Sequence, residues 1–444
     1  MTRYFVTGGA GFIGSNLVDR LLADGHAVTA YDNFSTGHRQ FIEPARRHST
    51  FRLVEGDTLD LPRLADSMAG HDFVFHLAAN ADVRLGTQYP RRDLEQNTIA
   101  THNVLEAMRS AGVDKIAFSS TGSVYGEPTI FPTPETCPFP VQTSLYAASK
   151  LAGEGMIQAY CAGFGIRAWI FRFVSILGER YSHGHVFDFY RQLQGDPTRL
   201  QILGDGAQRK SYLYVQDCID AMLLAIARTG DPVNIFNLGT DEYCKVSDSA
   251  DWICGKLGAR PQRRFTGGPR GWVGDSPFIF LDTAKIRALG WKPTLNIRQG
   301  VEKTVEYLRE SQWLFEKAAD EENPKSEIRN NFKIQRKKPQ NRKYADAPFE
   351  FSAFLLLDLF RISCFGFSSW LRCEPYENPA SRKERMKIRN PKSETISKPK
   401  RGNSKTRTAR TRPLNFLFFL LLDLFRISCF RFRIFTRFLA WSSI

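Results

Sequence analysis

Apolar positions along the first 120 residues follow two alternating rhythms. Short apolar runs at Tyr4-Phe5-Val6, Ala27 to Tyr31, Phe51 to Glu55, Asp72 to Leu77 and Lys115 to Ser119 predict buried strands. Between them, apolar residues three and four apart predict helices at Phe12 to Leu22, Leu61 to Met68 and Arg92 to Ser110. Strand followed by helix, repeated, predicts an α/β fold: a doubly wound parallel sheet with helices on both faces. Helices over Tyr146 to Cys161 and Val215 to Ala227, with a strand over Arg167 to Phe173 between them, continue the rhythm. Beyond Gly178 the elements shorten and Gly and Pro become frequent, which predicts a smaller C-terminal lobe interleaved with returns to the sheet. The chain then divides into a first domain over 1–178, a lobe over 179–312 and a tail over 313–444. A ligand is expected in the cleft between the first two, beyond the carboxyl ends of the strands.

Near Asp320 the rhythm stops. A basic, polar stretch and a Phe-rich stretch follow, and then the same alternation again. Leu355 to Phe365 recurs unchanged at Leu420 to Phe430, and Asn323 to Glu327 recurs at Asn390 to Glu394. Two units are too few for a solenoid, which typically needs at least about three. Codons for Asn-Pro-Lys-Ser-Glu-Ile-Arg, read on the opposite strand, can spell Ser-Asp-Phe-Gly-Phe-Arg-Ile, a relative of the tail's own Phe360 to Phe367. This low-complexity tail is therefore expected to translate an inverted DNA repeat fused to the gene's end, without a selected function. Its apolar run Phe416 to Leu422 falls far short of the roughly 20 residues of a membrane-spanning helix, and Asp423, Arg426 and Arg431 interrupt it. No nucleic-acid-binding module accompanies its Lys/Arg clusters. Neither a membrane nor a nucleic acid is expected as a partner.

The tail also carries the charge. Of the net +15, residues 1–320 contribute nothing, with 34 Lys+Arg against 35 Asp+Glu, while residues 321–444 hold 27 against 11. A high isoelectric point thus says nothing about the ligand of the globular part. The eight cysteines form no C-x-x-C pair and have no metal-like spacing with His, so they read as reduced thiols and no metal is expected. The N-terminus opens on a strand without a charged leader and apolar core, which predicts no signal peptide and a cytoplasmic location.

Candidate chemistry begins at Gly8, Gly11 and Gly14, in the turn between the first strand and first helix. Glycines there allow unusual backbone angles, close approach of the main chain to phosphate oxygens, and close helix–strand packing, so a dinucleotide pyrophosphate would lie on the helix N-terminus. A glycine pattern alone is weak evidence. Asp32, eighteen residues beyond Gly14 at the end of the second strand, strengthens it. A carboxylate there accepts hydrogen bonds from ribose hydroxyls and repels an additional phosphate, which predicts NAD rather than NADP.

Further motifs follow in order: Gly56-Asp57, His76-Leu77-Ala78-Ala79, Asn97, Ser119 to Gly126, Tyr146-Ala147-Ala148-Ser149-Lys150 and Gly204-Asp205-Gly206. With the glycine loop Thr7 to Gly14 and Asp32-Asn33, they resemble the NAD-dependent epimerase/dehydratase family of extended short-chain dehydrogenases/reductases over residues 1 to about 312. The resemblance implies a Rossmann-like NAD-binding domain, a mainly substrate-binding second lobe and a homodimer. It assigns cofactor contacts to Gly8, Gly11, Phe12, Ile13, Gly14, Asp32, Asn33, Asp57, Leu59, Leu77, Ala78, Ala79, Asn97, Ser119, Tyr146, Lys150 and Phe173. It also implies catalytic roles for Thr121, Tyr146 and Lys150, and substrate contacts for Ser123, Ser175, Lys210 and Arg270.

Tyr146 acts as a general base only if its phenol ionises about three units below its reference value of about 10. Lys150 is one helical turn on, and its ammonium is expected to favour the phenolate. Relatives that eliminate water place Asp-Glu directly after the Thr, and decarboxylating relatives commonly keep the Glu. This chain has Gly122-Ser123. Epimerisation at C4 of a nucleotide-linked hexose, most simply of the UDP-glucose/galactose type, is then the implied reaction. A nucleotide-sugar reductase or dehydrogenase and a non-catalytic NAD sensor are the alternatives, and the intact Thr121, Tyr146 and Lys150 argue against the sensor. Three departures bear on the substrate. Ser175 stands where 4-epimerases have Asn, Lys210 stands where they have Arg with Arg209 beside it, and Trp272 takes the place of a second Arg, with Arg270 two residues earlier. Lysine supplies charge without the two-pronged geometry of arginine.

Overall fold

The strand–helix rhythm is realised as a seven-stranded, all-parallel sheet in a computed structural model that describes residues 1–80, 82–139 and 141–316. The strands are β1 (Arg3–Thr7), β2 (Ala27–Asp32), β3 (Phe51–Glu55), β4 (Phe73–His76), β5 (Lys115–Thr121), β6 (Arg167–Phe173) and β7 (Val233–Leu238). Their order across the sheet is β3-β2-β1-β4-β5-β6-β7. The winding direction reverses between β1 and β4, the position at which open α/β sheets form a ligand crevice.

Successive strand residues point to opposite faces, and both faces are apolar. Phe5, Val74, Ile116, Phe118 and Ile170 enter one core with α2 (Leu61–Met68), α3 (Ala100–Ala111) and α4 (Leu145–Phe164). Their neighbours Val6, Phe73, Phe75, Ala117, Trp169 and Phe171 enter the other. That second core takes α1 (Phe12–Ala23), α5 (His185–Gly195), α6 (Val215–Arg228), α7 (Val246–Leu257) and α8 (Ile297–Glu310). Helix ends follow local chemistry: Asp60 caps α2 by accepting the Arg63 amide, and Ser144 caps α4 by accepting that of Ala147. Gly165 ends α4 at φ +70°, a conformation that favours glycine.

After β6 the chain builds three small sheets. Ser175–Leu177 pairs with Tyr212–Tyr214, Arg199–Ile202 with Gln262–Phe265, and Arg209–Lys210 with both Cys244–Lys245 and Phe278–Ile279. Between them β7 returns to the main sheet beside β6. The lobe's Val186, Leu200, Ile202 and Ile253 share one apolar cluster with the sheet.

One sequence expectation changes. The helix expected over Arg92 to Ser110 is a short turn at Pro90–Asp93, a π-helical turn at Leu94–Ile99 and then α3. The wide turn carries Asn97, whose buried side chain is bonded on both sides, and such turns recur at functional sites. Packing also continues past Gln312. Leu314 is buried, Trp313 meets His38 and Phe41, and Phe315 stacks on Phe187. The tail repeats, its Lys/Arg clusters and the run Phe416 to Leu422 lie outside the described residues.

Candidate active site

The strand order lines up motifs that are far apart in sequence. Along the carboxyl edge of the sheet stand Asp57 after β3, Asp32 and Asn33 at β2, Gly8 after β1, Leu77-Ala78-Ala79 after β4, Ser119 and Thr121 on β5 and Phe173 on β6. With strands about 4.8 Å apart, the three gaps from Asp32 to Ser119 span about 14 Å.

At the centre of this row the main chain is packed too closely for side chains. Gly8 has φ +71°, and a Cβ there would lie 2.7 Å from the Ala78 amide nitrogen; a Cβ on Gly14 would lie 2.0 Å from the Gly8 carbonyl oxygen. Gly11 begins α1 without a side-chain cap. The first-turn amides, those of Phe12, Ile13 and Gly14, are the donors that any helix start presents and that an anion satisfies. The buried Asp32 carboxylate accepts the amides of Ala10 and Phe34, at 2.9 and 2.8 Å, so it braces the loop it would serve. Burial raises its pKa, and these two bonds oppose the rise. Asn33 Nδ2 donates to Asp57 Oδ2 at 3.0 Å, and Asp57 Oδ1 accepts the Leu59 amide at 2.9 Å. Asn97 accepts the Asn80 amide at 2.8 Å and donates to Ser149 Oγ at 2.9 Å, tying the loop after β4 to α4. Glycine cradle, helix start and ribose-side carboxylate together fit NAD.

Thr121 ends β5, and Tyr146 and Lys150 occupy the first two turns of α4. The Tyr146 phenol faces the Thr121 hydroxyl. Lys150 is buried at 2% exposure, donates to the Ser119 carbonyl at 2.8 Å and lies over the Phe118 ring. The expected lysine-assisted phenolate is not formed by the chain alone. Burial pushes the Tyr146 phenol up to about 12, the Thr121 hydroxyl opposes this, and the Asp93 carboxylate adds to it. Burial pushes Lys150 down to about 7, opposed by the Glu154 carboxylate. The lysine spends its bond on Ser119, so it braces strand against helix. Beside it, burial holds His76 down at about 3; this neutral ring is bonded to the hydroxyls of Thr7 and Thr101.

Gly122 is enclosed: a Cβ there would lie 3.2 to 3.3 Å from the Phe173 carbonyl, Ile279 and Leu281. A side chain at this position, where an eliminating enzyme holds a carboxylate, would press on these neighbours by a few tenths of an ångström.

Of the residues expected to meet a substrate, Ser123 is half-buried in the turn after Thr121, and Ser175 is exposed two residues past Phe173. Lys210 and Arg270 do converge, on the segment Asp275-Ser276, but each already has an anionic partner. Lys210 Nζ is 2.7 Å from Asp275 Oδ1 and also donates to the Ser276 carbonyl. Arg270 is 2.6 Å from Glu127 and donates to the Asp275 carbonyl at 2.7 Å. Arg209 is no substitute, because its strand alternation sends it onto the Phe278 ring at 3.8 Å. Trp272 lies 5.9 Å from Lys210 Nζ. Glu127, Asp93, Glu154 and Arg172 were missed in the sequence. Only Glu154, one turn beyond Lys150, carried a readable spacing signal.

Residues 4–239 match the NAD dependent epimerase/dehydratase family. Among curated proteins, the chain is 36% identical over 315 residues to the UDP-glucose 4-epimerase of Mycolicibacterium smegmatis, covering 69% of this chain and 98% of that protein. Among solved structures it is similar to a UDP-galactose 4-epimerase, with 38% identity, a TM-score of 0.63, and coverage of 70% of this chain and 100% of that one. The Thermotoga maritima UDP-glucose 4-epimerase with UDP-glucose gives 33% identity and a TM-score of 0.63, covering 70% and 99% of the two chains.

Proposed function

Since the chain belongs to the NAD dependent epimerase/dehydratase family, we propose that it is an NAD-dependent 4-epimerase of a UDP-hexose, of the glucose/galactose type. The observation that carries this reading is the end of β5, where Thr121 faces the Tyr146 phenol, Lys150 is bonded to Ser119, and Gly122-Ser123 stand in place of an eliminating Asp-Glu pair. Gly8, Gly11, Phe12, Ile13, Gly14, Asp32, Asn33, Asp57, Leu59, Leu77, Ala78, Ala79, Asn97, Ser119, Lys150 and Phe173 hold the cofactor in this reading.

NAD, when bound, supplies a reversible hydride acceptor at C4 of the sugar, so the cofactor ends each turnover unchanged. The chain supplies the proton chemistry. Tyr146 takes the proton of the 4-hydroxyl and gives it back, and Thr121 orients that hydroxyl and shares the proton's path. Lys150 locks the first turns of α4 against β5 through Ser119. Because the chain alone leaves the phenol near 12, the base becomes competent only when a further positive charge reaches it. Ser123 and Ser175 line the sugar side, and Lys210 and Arg270 face the diphosphate.

The lobe over 179–312 is mainly substrate-binding in this reading, and 1–178 is the NAD-binding domain. A homodimer is part of the proposal. Leu94, Ile99, Leu145 and Phe164 are exposed on neighbouring helical segments, and α4 adds exposed Ala152, Gly155 and Ala159, a surface suited to a second copy. A cytoplasmic location accords with five buried free cysteines among the described residues. There, no helix is long and apolar enough to cross a membrane.

The test is incubation of the protein with UDP-, dTDP-, CDP- and GDP-hexoses without added NAD, followed by chromatography of the sugars. Interconversion of 4-epimers is expected with a UDP-hexose. Conversion only when NAD or NADH is added stoichiometrically would point to net redox chemistry, and binding without conversion to a sensor.

A further inference from the structure

Beneath the site lies a buried polar network with no role in the proton chemistry above. Glu154, one turn past Lys150 on α4, is fully buried and receives both prongs of Arg172: Nη2 at 2.7 Å and Nε at 3.0 Å. Ser120, between Ser119 and Thr121 on β5, donates to the same carboxylate. On its other side Arg172 donates to the Tyr125 hydroxyl at 2.7 Å and the Glu135 carbonyl at 3.2 Å. Tyr125 passes the chain on to Asn237 Oδ1 at 2.8 Å. Asn237, at the end of β7, then binds the carbonyls of Thr133 and Asp282.

Four of its members neighbour site residues. Ser120 flanks Thr121, Glu154 follows Lys150, Arg172 precedes Phe173, and Tyr125 ends the turn that holds Ser123. Three elements that must stay in register for proton and hydride to move together are thus clamped to one ion pair. Burying such a pair is no general source of stability; apolar replacements of similar volume are often neutral or stabilising. Geometry is what this network provides, and errors of about 1 Å in a reacting geometry cost on the order of 100-fold in rate.

We propose that Glu154 and Arg172 are positioning residues for the Thr121–Tyr146–Lys150 site, holding α4, β5 and β6 in catalytic register and placing a fixed negative charge behind Lys150. The groups facing Lys150 are Glu154 from its own helix, the neutral His76 from β4, and the Ser119 carbonyl and Phe118 ring from β5; Arg172 on β6 acts through Glu154. Glu154 is the charge that opposes the effect of burial on Lys150. Its removal should therefore lower the pKa of Lys150 further. The role rests on the epimerase reading.

The test uses the full chain with Ser120→Ala, Glu154→Gln, Tyr125→Phe and the double replacement Glu154→Met/Arg172→Met. It reads thermal midpoint, NAD affinity, kcat and KM for the UDP-hexose, and the Lys150 titration by NMR of 13Cε-labelled lysine. For Ser120→Ala and Glu154→Gln the expectation is retained NAD binding, KM within a few-fold, and kcat lower by on the order of 10- to 100-fold. In Glu154→Gln the Lys150 pKa falls below its wild-type value. The double Met variant should regain stability relative to Glu154→Gln without regaining kcat. Unchanged kcat in folded single variants, or kcat returning with stability in the double variant, would overturn the proposal. If Glu154→Gln does not fold, Ser120→Ala and Tyr125→Phe, each removing one hydroxyl, decide on the same kcat criterion. A wild type that turns over no sugar would sink the epimerase reading alone; an unmoved Lys150 titration would sink this one.

Discussion

The two walls of the proposed site are made of different material. On the cofactor side the decisive contacts are main chain: glycines at 8 and 14 whose Cβ positions are filled by neighbouring backbone, and a helix start with no side-chain cap. On the substrate side they are long side chains that have already found partners within the chain, Lys210 with Asp275 and Arg270 with Glu127. Backbone packed this closely accepts only glycine at positions 8 and 14, so that wall leaves little room for substitution. Ion pairs can be exchanged one residue at a time, so the opposite wall is where this chain departs from the 4-epimerase pattern. Binding a diphosphate there means displacing or sharing existing partners.

That contrast can be broken most directly between the walls, at the chemistry itself. Tyr146→Phe should lower kcat by about 10³-fold, within the usual range for loss of a general acid–base, while NAD affinity measured by fluorescence titration stays within a few-fold. On the backbone wall, Gly14→Ala forces a Cβ to 2.0 Å from the Gly8 carbonyl. Purified variant protein should carry no NAD, and equal NAD content in variant and wild type would show that the loop is not the cradle. On the side-chain wall, Lys210→Ala leaves Asp275, 3% exposed, without its cation. A loss of about 2 kcal/mol in urea unfolding is expected, below the full cost of breaking a buried pair because Lys210 borders the proposed site, and KM should rise with little change in kcat. Glu127→Gln is a finer probe. It frees Arg270 from an exposed pair worth about 0–1 kcal/mol, so stability should not move, while UDP affinity by calorimetry tightens a few-fold; weaker binding would mean that Glu127 itself holds the ligand. Smallest of all, deletion of residues 321–444 should leave kcat and KM unchanged, and its failure in a folded, soluble protein would assign the tail a function.

Most of the sheet was legible because its strands are buried on both faces and separated by amphipathic helices; Phe51–Glu55, Leu61–Met68 and Arg167–Phe173 fall where their apolar pattern puts them. The NAD wall was legible because its requirement for glycine and one carboxylate is written in fixed short spacings. The wide turn around Asn97 was not, since apolar periodicity does not register one extra residue accommodated in a turn. Nor were Glu127 and Arg172 legible as partners of Arg270 and Glu154, because 143 residues separate one pair and 18 the other.

By itself, then, the sequence determined the doubly wound fold and singled out the glycine cradle with Asp32 and the trio Thr121, Tyr146 and Lys150 as candidates, all from local periodicity and chemistry confined to a few adjacent residues. Only the tertiary structure decided how those groups behave. It placed Lys150 on Ser119, left the Tyr146 phenol near 12, packed Gly122 against Phe173, and paired every expected phosphate-gripping cation. Burial and charge pairing depend on which distant residues the fold brings within a few ångströms, and no spacing along the chain encodes that.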